Sequence, residues 1–176
     1  MNNTLIDNSI EALSMTATLR KCLAIDGIKT VSIATGYWDI PGLAILQENL
    51  RSFIEKDGTT LRLLIGKDPY IYANQLKSPK YKDANYPLDF IKTDIHELNV
   101  TEEYKDAIRL LLDYCSKSND SKIQIRVFRK NANDETQFLH SKCYIFDGKQ
   151  NGIGIGIVGS TNFTQKGLQG NAELNY

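Results

Sequence analysis

The feature that most constrains the fold is a pair of β-rich segments near the end of the sequence, joined by a turn and bordered by polar clusters. Gln137 to Phe146, rich in Phe, Leu, Tyr and Ile, reads as a strand. Asp147-Gly148 and Asn151-Gly152 are turn dipeptides, and Ile153 to Val158 reads as a second strand. With the turn spanning Asp147 to Gly152, Phe146 falls opposite Ile153 and His140 opposite Gly159. Side chains alternate faces along a strand, so His140 and Lys142 project the same way. Apolar side chains occupy both parities of the first strand, which fits a strand buried on both faces. A hairpin then forces His140 and Lys142 to the same end as Ser160 and Asn162.

That end carries an imidazole, an ammonium, a hydroxyl and an amide. Lysine and asparagine can hold anionic oxygens, and histidine can attack or transfer a proton. A carboxylate on the next strand, Glu173, is placed to orient the imidazole and stabilise its charged form. The set suits phosphoryl chemistry with histidine as nucleophile. The motif residues hold no carboxylate pair or histidine cluster for a divalent ion.

The motifs H-x-K-x-x-x-x-D (His140, Lys142, Asp147), G-S-x-N (Gly159, Ser160, Asn162) and N-x-E (Asn171, Glu173) occur in that order. The pattern resembles the phospholipase D superfamily. An isolated H-x-K is weak, whereas three ordered motifs are specific. Asn162-Phe163-Thr164, with Gly167-Leu168 after it, is similar to nuclease-like members. The match spans about a fifth of the chain. The resemblance implies an α/β fold: a mixed central β-sheet flanked by helices on both faces. It also implies a metal-independent phosphodiesterase or nuclease acting on DNA through a phosphohistidine intermediate, with no cofactor. His140 is then nucleophile or acid, Lys142 and Asn162 bind phosphate oxygens, Ser160 assists and Glu173 holds the imidazole. Asp147 matches the motif but sits at a turn, so a structural role is expected. Such enzymes use two copies of the motif. This chain has one, so the resemblance implies a homodimer with a shared active site, or a second motif elsewhere in a longer protein. A non-catalytic DNA-binding or targeting module of a helicase, and a phospholipid hydrolase, are the alternatives.

At 176 residues, with 41% apolar and 24% charged residues, the sequence fits one soluble domain with a proper core. Residues 1–176 read as a single domain, expected to be an N-terminal fragment of a longer protein. No apolar run reaches membrane-spanning length, and Met1-Asn2-Asn3-Thr4 has no secretory character. Cys22, Cys115 and Cys143 form an odd, unpatterned set, read as reduced thiols of a cytoplasmic protein. Formal net charge is zero. Its distribution is uneven: Lys122, Arg126, Arg129, Lys130 and Lys142 outnumber Asp134 and Glu135 along the approach to His140. Attraction of phosphates is one reading and a solvated mixed-charge surface the other.

Along the rest of the chain, Thr4 to Ala24 reads as a helix capped by Asn8 or Ser9, and Ile28 to Thr35 as a β-branched strand. Gly36 to Gly42 is a loop in which Tyr37 and Trp38 either stack on a base or pack beneath the loop; packing is the expectation. Leu43 to Lys56 is a second helix and Thr60 to Ile65 a buried strand closed by Gly66-Lys67-Asp68-Pro69. This opening resembles phospholipase D-like domains attached to bacterial helicases, which implies a helicase or restriction-type protein. Gly66-Lys67 lacks the upstream glycine of a P-loop. Tyr70 to Pro87, with its tyrosines, lysines and prolines, reads as an excursion. Leu88 to His96 and Thr101 to Ser116 read as helices, the latter capped by Thr101 with Tyr104, Ile108, Leu111 and Leu112 as its apolar face. Ile123 to Phe128 is a strand, and Asn131 to Asp134 a turn. Gly152, Gly154 and Gly156 leave one face of the last strand bare, which invites close approach of a backbone or helix.

Overall fold

The structure is a computed structural model that describes residues 5–66, 101–115, 121–128, 139–149 and 152–176. Five strands form one mixed sheet: β1 (Thr30–Thr35), β2 (Thr60–Ile65), β3 (Ile123–Val127), β4 (Lys142–Asp147) and β5 (Gly154–Val158), in the order β3-β2-β1-β4-β5. β1, β2 and β3 run parallel, β4 runs antiparallel to β1, and β5 antiparallel to β4. The α-helices among the described residues are α1 (Met15–Ala24), α2 (Ile40–Ile54) and α3 (Glu102–Tyr114).

Register places one row of side chains from each strand on the helix-covered face. Val31 pairs with Leu61 and Phe146, and Ile33 with Leu63 and Tyr144, all buried in one core with Leu43, Leu46, Leu50, Phe53 and Leu110 of the helices. The opposite face carries Ser32, Ala34, Arg62, Leu64, Gln124, Arg126, Cys143 and Ile145 around a shallow cavity of about 500 Å³. The expectation that the His140 strand is buried on both faces is therefore not met among the described residues. Ile145 is 46% exposed and Val158 53%. Apolar residues at both parities of a strand signal two covers only if a second layer lies on it.

β1–α2–β2 is a parallel strand–helix–strand unit, and its loop starts the helix early. Asp39 caps α2 by accepting from Gly42 N–H (2.6 Å), and Pro41 sits in the first turn, where its missing N–H costs nothing. The helix therefore begins at Ile40, three residues before the expected start. α1 begins later than expected, at Met15, with Ser14 as its cap. Asn8, an expected cap, instead adopts a positive φ of 58° and works as a clamp. Its Oδ1 accepts from Met15 N–H, and its Nδ2 donates to the carbonyls of Gly167 and Asn171. In α3 the Thr101 cap is as expected. The buried residues are Ala107, Leu110 and Leu111, however, while Leu112 is exposed. Of the other expected residues, Tyr104 and Ile108 pack partly buried against the core, so the apolar face is the expected one with Ala107 and Leu110 in place of Leu112.

The β4–β5 pairing is slipped by two residues from the expected register: Phe146 lies opposite Ile155 and Cys143 opposite Val158. A two-residue slip keeps every side chain on its face, whereas a one-residue slip would invert them all. The glycines at 152, 154 and 156 face open space: a Cβ at any of them would meet nothing within 4 Å among the described residues. The expected close approach is absent there. The readings of Tyr70–Pro87, Leu88–His96 and Asn131–Asp134 lie outside the described residues.

Candidate active site

All five predicted site residues sit at one end of the sheet. Lys142 is the first residue of β4 and pairs with Thr35, the last of β1. His140 precedes β4 by two residues and is exposed. Beyond β5 the chain runs through Ser160 and Asn162, and the Glu173–Tyr176 segment returns alongside it. Gly159 and Asn175 bridge, and Val158 and Tyr176 exchange both backbone hydrogen bonds (2.9 and 2.8 Å). Gly159 N–H donates to the Lys142 carbonyl (3.3 Å), which ties the two motifs together.

Lys142 is only 8% exposed, and its Nζ donates to the His140 carbonyl (3.0 Å). Burial pushes this ammonium below the ordinary lysine value, and the nearby Glu173 carboxylate partly restores it. The result is a desolvated cation beside an exposed imidazole, suited to holding an anion. Glu173 accepts from the Ser160 hydroxyl and from Asn171 Nδ2 (3.1 Å). Its hydrogen bonds thus organise the Ser160 side of the site, and its charge reaches Lys142. Asp147 lies at the far end of β4, about 16 Å away at 3.3 Å per residue. There its Oδ1 accepts from Lys149 N–H (2.7 Å), which fits the structural role expected of it.

Behind the site, Tyr144 is fully buried, donates to the Thr161 carbonyl (2.9 Å) and meets Phe163 edge-to-face at 6.5 Å. Burial, reinforced by the Glu173 charge, pushes its phenol far above the usual value, so it remains a neutral donor. Gly167 allows the short π-helical turn Lys166–Gly170 to lie on Asn162, since a Cβ there would come within 2.4 Å of the Asn162 carbonyl oxygen.

Several residues that hold this end together escaped sequence reasoning. Asn175 is 2% exposed; its Oδ1 accepts from Thr161 N–H (3.2 Å) and its Nδ2 donates to Thr161 Oγ1 (2.6 Å). Asp39 accepts from Gln165 N–H (3.0 Å) as well as capping α2, and Trp38, buried as expected, bridges to Phe163. Gly66 packs where a Cβ would stand 2.5 Å from the Gly36 carbonyl oxygen and 2.6 Å from that of Leu139. The only sequence signal was the concentration of Asn, Asp, Thr and Gly around strand ends. The basic approach is only partly assembled. Lys122 lies at the opposite sheet end, where its Nζ donates to the Ile54 (2.8 Å) and Lys56 (3.2 Å) carbonyls. Arg126 lines the open face, and Arg129 and Lys130 fall outside the described residues. Among the described residues no group of three His, Cys, Asp or Glu side chains gathers as metal ligands, and no helix is long and apolar enough to cross a membrane.

A family model described as "Cardiolipin synthase, PLD-like domain" matches residues 21–176. Among solved structures, NucT from Helicobacter pylori is similar in fold, with a TM-score of 0.52 at 13% identity, covering 98% of this chain and 81% of that one. No curated protein matches the sequence.

Proposed function

The chain belongs to the phospholipase D-like domain family, and from that premise we propose that it is a phosphodiester hydrolase of the nuclease type. In this reading it acts on DNA, without a metal, within a helicase or restriction-type protein. The observation that carries the proposal is the convergence of His140, buried Lys142, Ser160, Asn162 and Glu173 on one sheet end. A neutral His140 nitrogen attacks phosphorus, the bond to the leaving oxygen breaks, and that oxygen takes a proton from a second, charged imidazole. Water then attacks the phosphorus of the phosphohistidine, the P–N bond to His140 breaks to free the neutral imidazole, and the water's proton passes to the second imidazole, which is reset. Lys142 and Asn162 stabilise the charge on the non-bridging oxygens, as preorganised donors do. Ser160 and Glu173 hold one another on the flank of the site.

These residues supply one such imidazole; in this reading the second comes from a homodimer partner across a two-fold axis beside the β4–β5 hairpin, the other source being a second motif elsewhere in a longer protein. The bare glycine face of β5 leaves room for an approaching backbone. The single motif is also what favours the alternative, a DNA-binding module of a helicase that does not turn over. The exposed Ile145 and Val158 are what a lipid substrate would favour.

The test is hydrolysis of bis(p-nitrophenyl) phosphate, DNA and phosphatidyl substrates with and without EDTA, for wild type and His140→Ala. Expected are EDTA-resistant cleavage of DNA and loss of turnover in His140→Ala with DNA affinity retained. Wild-type rates in His140→Ala, or full loss on chelation restored by magnesium, would overturn the mechanism. DNA binding without cleavage would select the module reading.

A further inference from the structure

We infer that the turn at the end of β1, Thr35-Gly36-Tyr37, is a positioning element of the site: it fixes Asn162 so that this side chain presents only N–H donors to a bound phosphate. The choice of phosphate rests on the phosphodiesterase reading above; the positioning itself rests on geometry.

Tyr37 N–H donates to Asn162 Oδ1 (3.1 Å). A backbone N–H can only donate, so the amide atom facing it is oxygen. The other end of the amide, Nδ2 with two N–H groups, has no hydrogen-bond partner among the described residues and is half-buried. Asn162 is thereby polarised: acceptor to the fold, donor to the site.

Thr35 holds the arrangement from beneath. It is fully buried, and its hydroxyl has one proton, donated to the Tyr37 carbonyl (2.6 Å). The same oxygen accepts from Phe163 N–H (3.0 Å), the residue after Asn162. One hydroxyl thus sets the position of both partners, Tyr37 and the Asn162–Phe163 peptide. With its proton committed to Tyr37, the 3.4 Å approach of Oγ1 to Asn162 Oδ1 is a contact more than a second bond. Gly36 makes the close fit possible. A Cβ there would stand 3.1 Å from the Leu139 carbonyl oxygen, 3.3 Å from Asn162 Oδ1 and 3.5 Å from His140 Cα. The turn therefore touches the backbone beside the nucleophile and the amide of the phosphate-binding loop together.

The test compares wild type, Thr35→Ser, Thr35→Val, Asn162→Ala and the Thr35→Val/Asn162→Ala double variant. The readouts are inorganic phosphate affinity by NMR titration, kcat on bis(p-nitrophenyl) phosphate, and exchange of the Tyr37 amide proton. Hydrogen bonds to charged groups set the scale, so Thr35→Val should weaken phosphate binding about tenfold. Because Thr35 acts through Asn162, the same change should cost less than about twofold in the Asn162→Ala background. Thr35→Ser, which keeps the hydroxyl, should stay within about threefold of wild type. An equal loss in both backgrounds would show that Thr35 serves only the fold, and no loss in either would also overturn the inference. The Tyr37 amide should exchange about tenfold faster in Asn162→Ala whether or not any ligand binds, as local opening predicts. Unchanged exchange overturns the positioning. Absent phosphate binding and turnover in wild type would instead remove the phosphodiesterase reading.

Discussion

Replacing Asn175 by alanine should cost about 2–4 kcal/mol, although the residue lies outside every motif. The side chain is 2% exposed and spends both polar ends on one residue, Thr161, which is itself fully buried. Truncation leaves the Thr161 N–H buried without an acceptor, a desolvation cost of roughly 1–3 kcal/mol. The second bond, Nδ2 to Thr161 Oγ1, adds roughly 0.5–1.5 kcal/mol, since that hydroxyl can only partly redirect itself. The backbone bonds of Asn175 with Ile6 (2.8 and 3.0 Å) survive, so the segment stays docked while its grip on the loop is lost. At about 2–4 °C per kcal/mol for a chain of this size, a loss of ~3 kcal/mol lowers Tm by about 9 °C. Urea unfolding with linear extrapolation, read against unchanged m-values, measures the loss. In a Thr161→Val background, which removes the hydroxyl but keeps the N–H, the cost of Asn175→Ala should shrink by roughly 0.5–1.5 kcal/mol. A loss below about 0.5 kcal/mol in the wild-type background, the range of ordinary surface changes, would refute the reasoning.

Two glycine substitutions should behave oppositely. Gly66→Ala drives a methyl into two backbone carbonyl oxygens at 2.5 and 2.6 Å, neither of which can swing aside, so thermal unfolding should show a loss of about 1–3 kcal/mol or more. Activity should fall with it, because one of those oxygens precedes His140. Gly156→Ala meets nothing within 4 Å at an ordinary backbone conformation and should change stability by no more than about 0.5 kcal/mol. Lys142→Met should abolish turnover yet leave the protein at least as stable as wild type at pH 7. The folded-state pKa of Lys142 is lowered by burial, so in the wild type the charged lysine opposes folding at neutral pH. That penalty is relieved as pH rises toward the ordinary lysine value of 10.5, and any advantage of the variant in pH-dependent melts should narrow over the same range.

Much of the site was legible in the chain because its chemistry is local. Lys142 opens β4 with His140 two residues before it, and the antiparallel β4–β5 pairing brings the Ser160 and Asn162 segment to the same sheet end. The α/β class followed equally directly from β-branched runs separated by helical periodicity, and strand β2 falls where expected, Thr60–Ile65. What the chain could not disclose depends on distant partners. Asp39 looked like part of a loop and proves to cap α2 and clasp Gln165, 126 positions away. Asn8 looked like a helix cap and holds the turn after Asn162. Thr35, Asn175 and Gly66 act through side-chain hydrogen bonds or bare backbone contacts that leave no periodicity to read. The β4–β5 register shows the same division. Which face each residue takes is fixed by a period of two, which any even slip preserves. How far along the partner each residue lies is decided by the turn's backbone and by the pairing of β4 with β1, energies that exist only once the sheet is assembled.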